Sequence, residues 1–254
     1  LKAGYSVLLC QSNAEVEREI AAVRGLREKR VDAVIVSASR VGDLYLPLLE
    51  EIQVPVVLVN NEQASQRVHF VASDDAQGGR LAVEYLLSLG HSRIGYIAGP
   101  AANKSSDSRL QGYREALRAA GIAPDPRWVS QGNGRFEGGG QGLLPLLALS
   151  PRPTAVFCYN DATAIGALHF ARQAGVRVPQ ELSLVGFDDI AVAAYTEPPL
   201  TTVAQHKYEM GRMVAEMALE LVGGRSVENV ILPTTLVIRG SCSGPGQSQD
   251  GSCG

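Results

Sequence analysis

Short, almost uninterrupted apolar runs recur along this chain, and amphipathic stretches that stop at glycine lie between them. The runs cover residues 7–9, 34–36, 56–59, 94–97, 155–158 and 182–187. A strand with one wet face alternates apolar and polar residues. A continuous run therefore marks a strand covered on both faces, as in a parallel sheet. The intervening stretches carry helical periodicity. Residues 76–89 place Leu81, Ala82, Tyr85, Leu86 and Leu89 on one face, with Asp74 or Asp75 to cap the start and Gly90 to stop it. Residues 109–120 repeat the design with Leu110, Tyr113, Leu117 and Ala120 before Gly121. Residues 161–174 use Ile165 and Leu168 before Gly175, and residues 206–222 use Met210, Val214, Met217 and Leu221 before Gly223. Strand and helix alternate throughout, which predicts a doubly wound α/β fold.

The chain's 254 residues suffice for one large α/β domain or two smaller lobes. The net charge is only −3, and no Lys/Arg cluster of the kind that displaces counterions from a nucleic-acid backbone is present. Any DNA contact made by a parent protein is thus expected to lie outside this chain. No apolar run approaches the roughly 20 residues of a membrane span, and residues 1–6 lack the basic start and apolar stretch of a signal peptide. Residues 1–4 read as the end of a helix at its Gly4 stop, followed by a strand from Tyr5. A βαβ unit is entered halfway, with a strand and most of a helix expected upstream. From Ser241 onward the residues are Ser, Gly, Gln, Asp and Pro with two cysteines and almost nothing to bury, which predicts a disordered tail over 241–254. The Gly-rich segment 132–142, anchored by Phe136 and the leucines after it, reads as a loop running into a helix.

Enzyme signatures are absent. There is no G-x-G-x-x-G, no P-loop, no G-x-S-x-G and no H-E-x-x-H, and nothing assembles a nucleophile with a base. His69, His91, His169 and His206 are scattered singly, as surface or helix-terminus residues are. His91 follows a glycine stop, where it interacts favourably with the helix dipole. Cys10 and Cys158 end apolar runs and are expected to be reduced and packed. Cys242 and Cys253 fall in the tail and receive no role. No enzyme, metal or cofactor is expected. Asn103-Lys104-Ser105 matches a glycosylation sequon, a tripeptide common by chance.

Three stretches occur in a specific order and spacing: "DDAQGGRLAVEYLLSLGHSRIGYIAG" from Asp74, "SSDSRLQGYREALRAAG" from Ser105, and "VFCYNDATAIGALHFARQAGVRVPQELSLVGFDDIAVAAYTEPPLTT" from Val156. Together they resemble the effector-binding domain of the LacI/GalR family of transcriptional regulators, over residues 1 to about 240. The resemblance implies a fold like type I periplasmic binding proteins: two doubly wound Rossmann-like lobes joined by three crossovers, with an effector between them. Crossovers near 99–100, 199–202 and 224–229 would put residues 1–99 and 203–226 in the N-terminal lobe, and 100–202 and 227–240 in the C-terminal lobe. It also implies a cytoplasmic homodimer that reaches operator DNA through a helix-turn-helix headpiece absent here. The effector would be a small molecule, most often a sugar or sugar derivative. The rival on the same fold is a periplasmic sugar-binding protein of a transporter; "GHSRIGYIAG" and "PLTTV" favour the regulator.

Ligands of parallel sheets sit at the carboxyl ends of strands, where loops converge. Asp74, Asn160 and Asp188 each follow a strand there, and Arg109 opens a helix after the 94–97 strand and its loop. Carboxylate, amide and guanidinium groups bond vicinal hydroxyls or ring heteroatoms, and Phe136 offers a flat face for stacking. By resemblance, Arg109, Asn160 and Asp188 match the family's ligand contacts, and Phe136 an aromatic pocket position. Each has a structural alternative. Asp188 with Asp189 caps the segment after the strand; Asn160 or Asp161 caps the next helix, with Asp161 favoured; Asp75 is the favoured cap of the helix at 76; Arg109 forms a surface ion pair.

Overall fold

The computed structural model describes residues 4–12, 15–37, 53–101 and 103–246. The chain divides into two compact units. One comprises Leu1–Ser73 and His206–Leu232, the other Asp74–Gln205 and Pro233–Gly254.

The first unit is built on a four-stranded parallel sheet ordered β1-β2-β3-β9, with β1 Val34–Ser37, β2 Val56–Val59, β3 Val68–Ser73 and β9 Val230–Leu232. Helix α1 (Val16–Glu28) packs Val23 and Leu26 against Val34, Val56, Leu58, Val68, Phe70 and Ala72. Helix α6 (Lys207–Val222) packs Met210, Val214, Met217 and Ala218 against Val57 and Val71. Val57 and Val71 thus face one helix while Val56, Leu58, Phe70 and Ala72 face the other. This is the two-faced burial that continuous apolar runs predict. The run at 7–9 behaves differently. Val7 and Leu9 are 84% and 93% exposed, and no strand pairs with them among the described residues. Without a neighbouring ladder, β propensity alone does not hold a strand.

The second unit carries a six-stranded sheet ordered β10-β8-β7-β6-β4-β5. Its strands are β4 Ile94–Ala98, β5 Val129–Gln131, β6 Ala155–Cys158, β7 Ser183–Asp188, β8 Thr201–Ala204 and β10 Thr235–Val237. All neighbours are parallel except β10, which runs antiparallel to β8. The chain goes outward from β4 to β5 and then returns past it to β6, the 2-1-3-4-5 winding of doubly wound sheets. Helices α2 (Asp75–Ser88) and α3 (Lys104–Ala119) cover the face carrying Ile94, Tyr96, Phe157 and Phe187. Helices α4 (Phe136–Leu147) and α5 (Asp161–Gln173) cover the face carrying Ile97, Val156, Cys158 and Leu184.

The lobe boundaries expected from the sequence shift accordingly. Residues 74–99 belong to the second unit, because β4 pairs with β5 and β6 and α2 shares a core with α3. Strand β3, helix α2 and strand β4 read as one βαβ unit, but β3 pairs with β2 and β9 in the other sheet. The chain changes unit after Ser73, Gln205 and Leu232.

The Gly-rich segment is the expected loop running into a helix: residues 132–135 are irregular and helix α4 begins at Phe136. Its glycines allow close packing. A Cβ on Gly139 would overlap the carbonyl oxygen of Thr163, and one on Gly166 of α5 that of Phe136. Helices α2 and α3 meet in the same way, through Gly79 against Arg109 and Gly112 against Ala76. Alanine is the better helix former, but at such a contact the methyl group must push two backbones apart. Gly166→Ala is expected to lose about 2–3 kcal/mol of unfolding free energy, read from the denaturant midpoint. A gain of a few tenths, the intrinsic propensity effect, would mean the α4–α5 contact is looser than described.

Residues 241–243, expected in a disordered tail, are packed, and 244–246 are exposed. The Ser241 hydroxyl accepts from Thr201 N at 2.8 Å and donates to Leu184 O at 2.6 Å, fully buried. Cys242 lies against the core under α2 and donates its thiol to Leu184 O. The Ser243 carbonyl lies 2.8 Å from His91 Nε2. His91 is therefore no surface group. It is buried, with Thr154 Oγ1 2.9 Å from Nδ1 and Ser183 Oγ 3.1 Å from Nε2. Burial lowers its pKa, partly offset by the Ser243 carbonyl, so the ring is neutral and Nε2 carries the proton that a carbonyl needs. Polar composition at 241–243 is thus consumed by hydrogen bonds to the start of β7, which composition alone does not show. Cys253 and the rest of 247–254 lie outside the described residues. Ser241→Ala orphans the Thr201 amide in a dry place and is expected to cost about 1–3 kcal/mol. An unchanged denaturant midpoint would show that the segment does not hold the sheet. No helix among the described residues is long and apolar enough to cross a membrane.

Candidate functional site

The carboxyl ends of β4, β6, β7 and β8 bring one polar cluster together within the second unit. Helix α3 starts at Lys104, capped by the Asn103 side chain, which accepts from Ser106 N at 3.0 Å. Arg109 is therefore in the second turn of α3 rather than at its opening, and it points into the unit: it is 4% exposed. Its Nε donates to Asp75 Oδ1 at 2.9 Å and its Nη1 to Tyr159 O at 2.6 Å. Asp188 Oδ1 lies 3.6 Å from the same Nη1. The guanidinium stacks on the Phe187 ring at 3.6 Å from its centroid and stands 4.8 Å from that of Tyr159. Burial opposes its charge, but the Asp75 and Asp188 carboxylates more than offset this and hold its pKa above the ordinary guanidinium value. A surface ion pair is thus the wrong description of Arg109.

Strand β7 ends on Asp188, and the backbone there enters a region that side chains seldom occupy. Asp188 has φ +109° and Asp189 φ +49°. Such a turn costs free energy and persists only where its surroundings hold it. Here Gln205 Nε2, just past β8, donates to Asp188 Oδ1 at 2.6 Å, and Arg239 Nη2 to Asp189 Oδ1 at 2.6 Å. The turn sends the two carboxylates to different partners, so neither caps a following helix.

The two Asp-containing helix starts are resolved in the opposite sense to that favoured by sequence. Asp74, not Asp75, caps α2, its Oδ1 accepting from Gln77 N at 2.7 Å, while Asp75 is buried against Arg109. Asn160, not Asp161, caps α5, its Oδ1 accepting from Thr163 N and Thr163 Oγ1 and its Nδ2 donating to Gly134 O. Asp161 is fully buried, with Oδ1 accepting from Thr202 Oγ1 at 2.5 Å and Oδ2 from Ile190 N at 2.8 Å. Burial raises its pKa to about 7, against the pull of those two hydrogen bonds and with a further push from Asp188 and Asp189.

Of the five residues singled out, Arg109 and Asp188 meet directly. Asn160 sits next to Tyr159, the residue that receives Arg109, and ties the start of α5 to the loop before α4. Phe136 is the first residue of α4, and about half of it is exposed. Asp74 is occupied by its cap. Sequence reasoning missed Asp161, Tyr159 and Gln205 as site residues and gave Asp75 to a cap. Tyr159 and Gln205 did carry a signal, since each is the first residue after a parallel strand's carboxyl end. Asp75 and Asp161 did not, since their local pattern is that of an ordinary helix start.

The chain matches the family model for the periplasmic binding protein-like domain over residues 83–242, more than half its length. The HTH-type transcriptional repressor CytR of Escherichia coli K12 is 36% identical over 241 residues, which is 94% of this chain and 70% of that protein. In the structure of the transcriptional regulator CelR–cellobiose complex, the match has a TM-score of 0.83 and 35% identity, covering 89% of this chain and 71% of that one. A sugar-binding transcriptional regulator of the LacI family from E. coli, complexed with phosphate, matches with a TM-score of 0.85 and 28% identity, over 96% of this chain and 88% of that one.

Proposed function

This chain belongs to the LacI family of transcriptional regulators, whose periplasmic binding protein-like domain it carries, and from that premise we propose that it senses a small hydroxyl-rich effector and transmits its binding to operator DNA. The observation that supports this most is the Arg109–Asp188–Gln205 group at the carboxyl ends of the strands. A carboxylate offers about four acceptor positions and a guanidinium five donors, so one ligand hydroxyl can donate to Asp188 while its neighbour accepts from Arg109. The exposed ring of Phe136 suits the apolar face of a sugar or base. The side-chain bonds of Asn160 and Asp74 support a framing role, fixing the starts of α5 and α2 around the contacts. Cellobiose in the CelR structure favours a sugar or sugar derivative as the effector class. The repressors and regulators among the relatives favour transcription over transport, and a regulator over an enzyme.

In the whole regulator, a helix-turn-helix headpiece would hold the operator and two copies would act as a homodimer. The effector works by binding two arrangements of the protein with different affinity; a ligand that binds both equally shifts nothing. The test is a thermal melt of the chain with neutral mono- and disaccharides, nucleosides and nucleobases. A ligand of the folded state at 100 times its Kd adds about 2.7 kcal/mol. One chemical class should raise the midpoint, and Asp188→Asn should abolish the rise. A cooperative melt that no compound moves would remove the sensor function.

A further inference from the structure

We propose that this site selects an uncharged ligand over an anionic one, and that Asp75 sets the selection by cancelling the charge of Arg109. The inference rests on the reading of Arg109 and Asp188 as effector contacts and deepens it.

Two guanidinium groups stand in the cluster, and each already has a carboxylate. Arg109 Nε is 2.9 Å from Asp75 and Arg239 Nη2 is 2.6 Å from Asp189. The Asp188 carboxylate, 3.6 Å from Arg109 Nη1, is then a second negative group on the same cation. Counting Asp75 and Asp188 against Arg109 leaves one negative charge before Asp161 ionises. A phosphate or carboxylate brought to Arg109 would meet Asp188 on the same guanidinium nitrogen, in a place where both Arg109 and Asp75 are almost dry. Like charges that close, with little water between them, repel strongly. A hydroxyl meets no such opposition, since it donates to Asp188 and accepts from Arg109. Arg135, on the loop before α4, is exposed, so its charge is screened by water and salt. Asp75 touches no ligand in this scheme. It is a positioning residue, which holds the guanidinium in one orientation and neutralises it.

Asp75→Asn keeps the size and one acceptor for Arg109 Nε but removes the charge. The experiment is calorimetric titration of the 254-residue chain and of this variant with neutral sugars and nucleosides, their phosphate esters, and inorganic phosphate. Phosphate is the sharpest probe, because a LacI-family relative has been seen complexed with it. The parent chain is expected to bind a neutral compound at least about tenfold more tightly than its phosphate ester. Asp75→Asn is expected to narrow that ratio about tenfold and to bind inorganic phosphate in a salt-dependent way. A phosphate ester that binds the parent chain as tightly as its neutral counterpart overturns the proposal while leaving the sensor function intact. So does a folded Asp75→Asn chain that keeps the parent's ratio. Should that variant fail to fold, the ratio in the parent chain decides alone. If no compound of either set binds, the sensor function and this proposal fall together.

Discussion

Arg109→Met is expected to lower the free energy of unfolding by about 3–5 kcal/mol and to abolish effector binding. The first effect comes from what the substitution leaves behind. Asp75 is buried, and its Oδ1 accepts from Arg109 Nε. Removing one partner of a buried pair strands the other charge, which costs far more than the pair's own net contribution. The methionine recovers the packing on the Phe187 ring but none of the hydrogen bonds to Asp75 and Tyr159 O. The companion variant separates the two causes. Arg109→Met with Asp75→Leu removes both charges, so most of the lost stability should return while binding stays absent. Urea midpoints of the parent, single and double variants give the answer. A single variant as stable as the parent would mean that Asp75 reaches water or another cation. A double variant no better than the single would assign the loss to packing instead.

The second large effect is a dependence of stability on pH. The Asp161 carboxyl has a folded-state pKa raised from 3.8 to about 7. Below pH 3.8 both folded and unfolded chains hold this proton, and the group has no effect on stability. As pH rises from there, the unfolded chain loses the proton first, and the fold loses about 1.4 kcal/mol per pH unit until the folded group ionises near 7. The total is on the order of 4 kcal/mol, of which about 3 falls between pH 5 and pH 8. His91 contributes in the opposite direction. Its lowered pKa means that stability is lost as pH falls below 6.5. His69, whose pKa burial also lowers, acts in the same direction as His91, and the Asp161 variant separates the carboxyl's contribution from theirs. Asp161→Asn can still accept from Ile190 N, and its amide can donate to Thr202 Oγ1, so its profile should lack the alkaline decline. Parallel profiles for parent and variant from pH 5 to pH 8 would show that Asp161 is charged throughout.

Much of the architecture was legible from hydrophobic pattern, because burial on both faces imposes continuous runs on strands and a 3.6-residue period on helices. The core positions Leu86, Tyr113, Leu117, Met210, Val214 and Met217 were all visible in this way. Sheet membership was not. Nothing in residues 68–98 says that β3 and β4 belong to different sheets, since the pattern of each strand reports burial and not the identity of its neighbour. The site residues at strand ends were legible in place but not in partnership. Asp74 and Asp75 differ by one step in the chain, and so do Asn160 and Asp161. In each pair the first caps the helix and the second turns inward, and the assignment depends on which backbone amide lies within reach. Arg109 presented a helical surface pattern because its buried partner comes from a helix 34 residues away. The packing of 241–243 was hidden for a similar reason: two serines and a cysteine look disordered until β7, His91 and the core supply their partners.

The winding of the second unit also bears on how the protein is made. Strand β10, the outer neighbour of β8, is encoded only after the whole of α6 and β9, which belong to the other unit. At ribosomal speeds of roughly 5–20 residues per second, β8 emerges some seconds before β10 is available to it. During that interval its hydrogen-bonding edge is open to any extended segment nearby. A nascent chain whose emerged part ends between residues 206 and 234 therefore offers an incomplete sheet, and that is the window in which a chaperone would have most to shield.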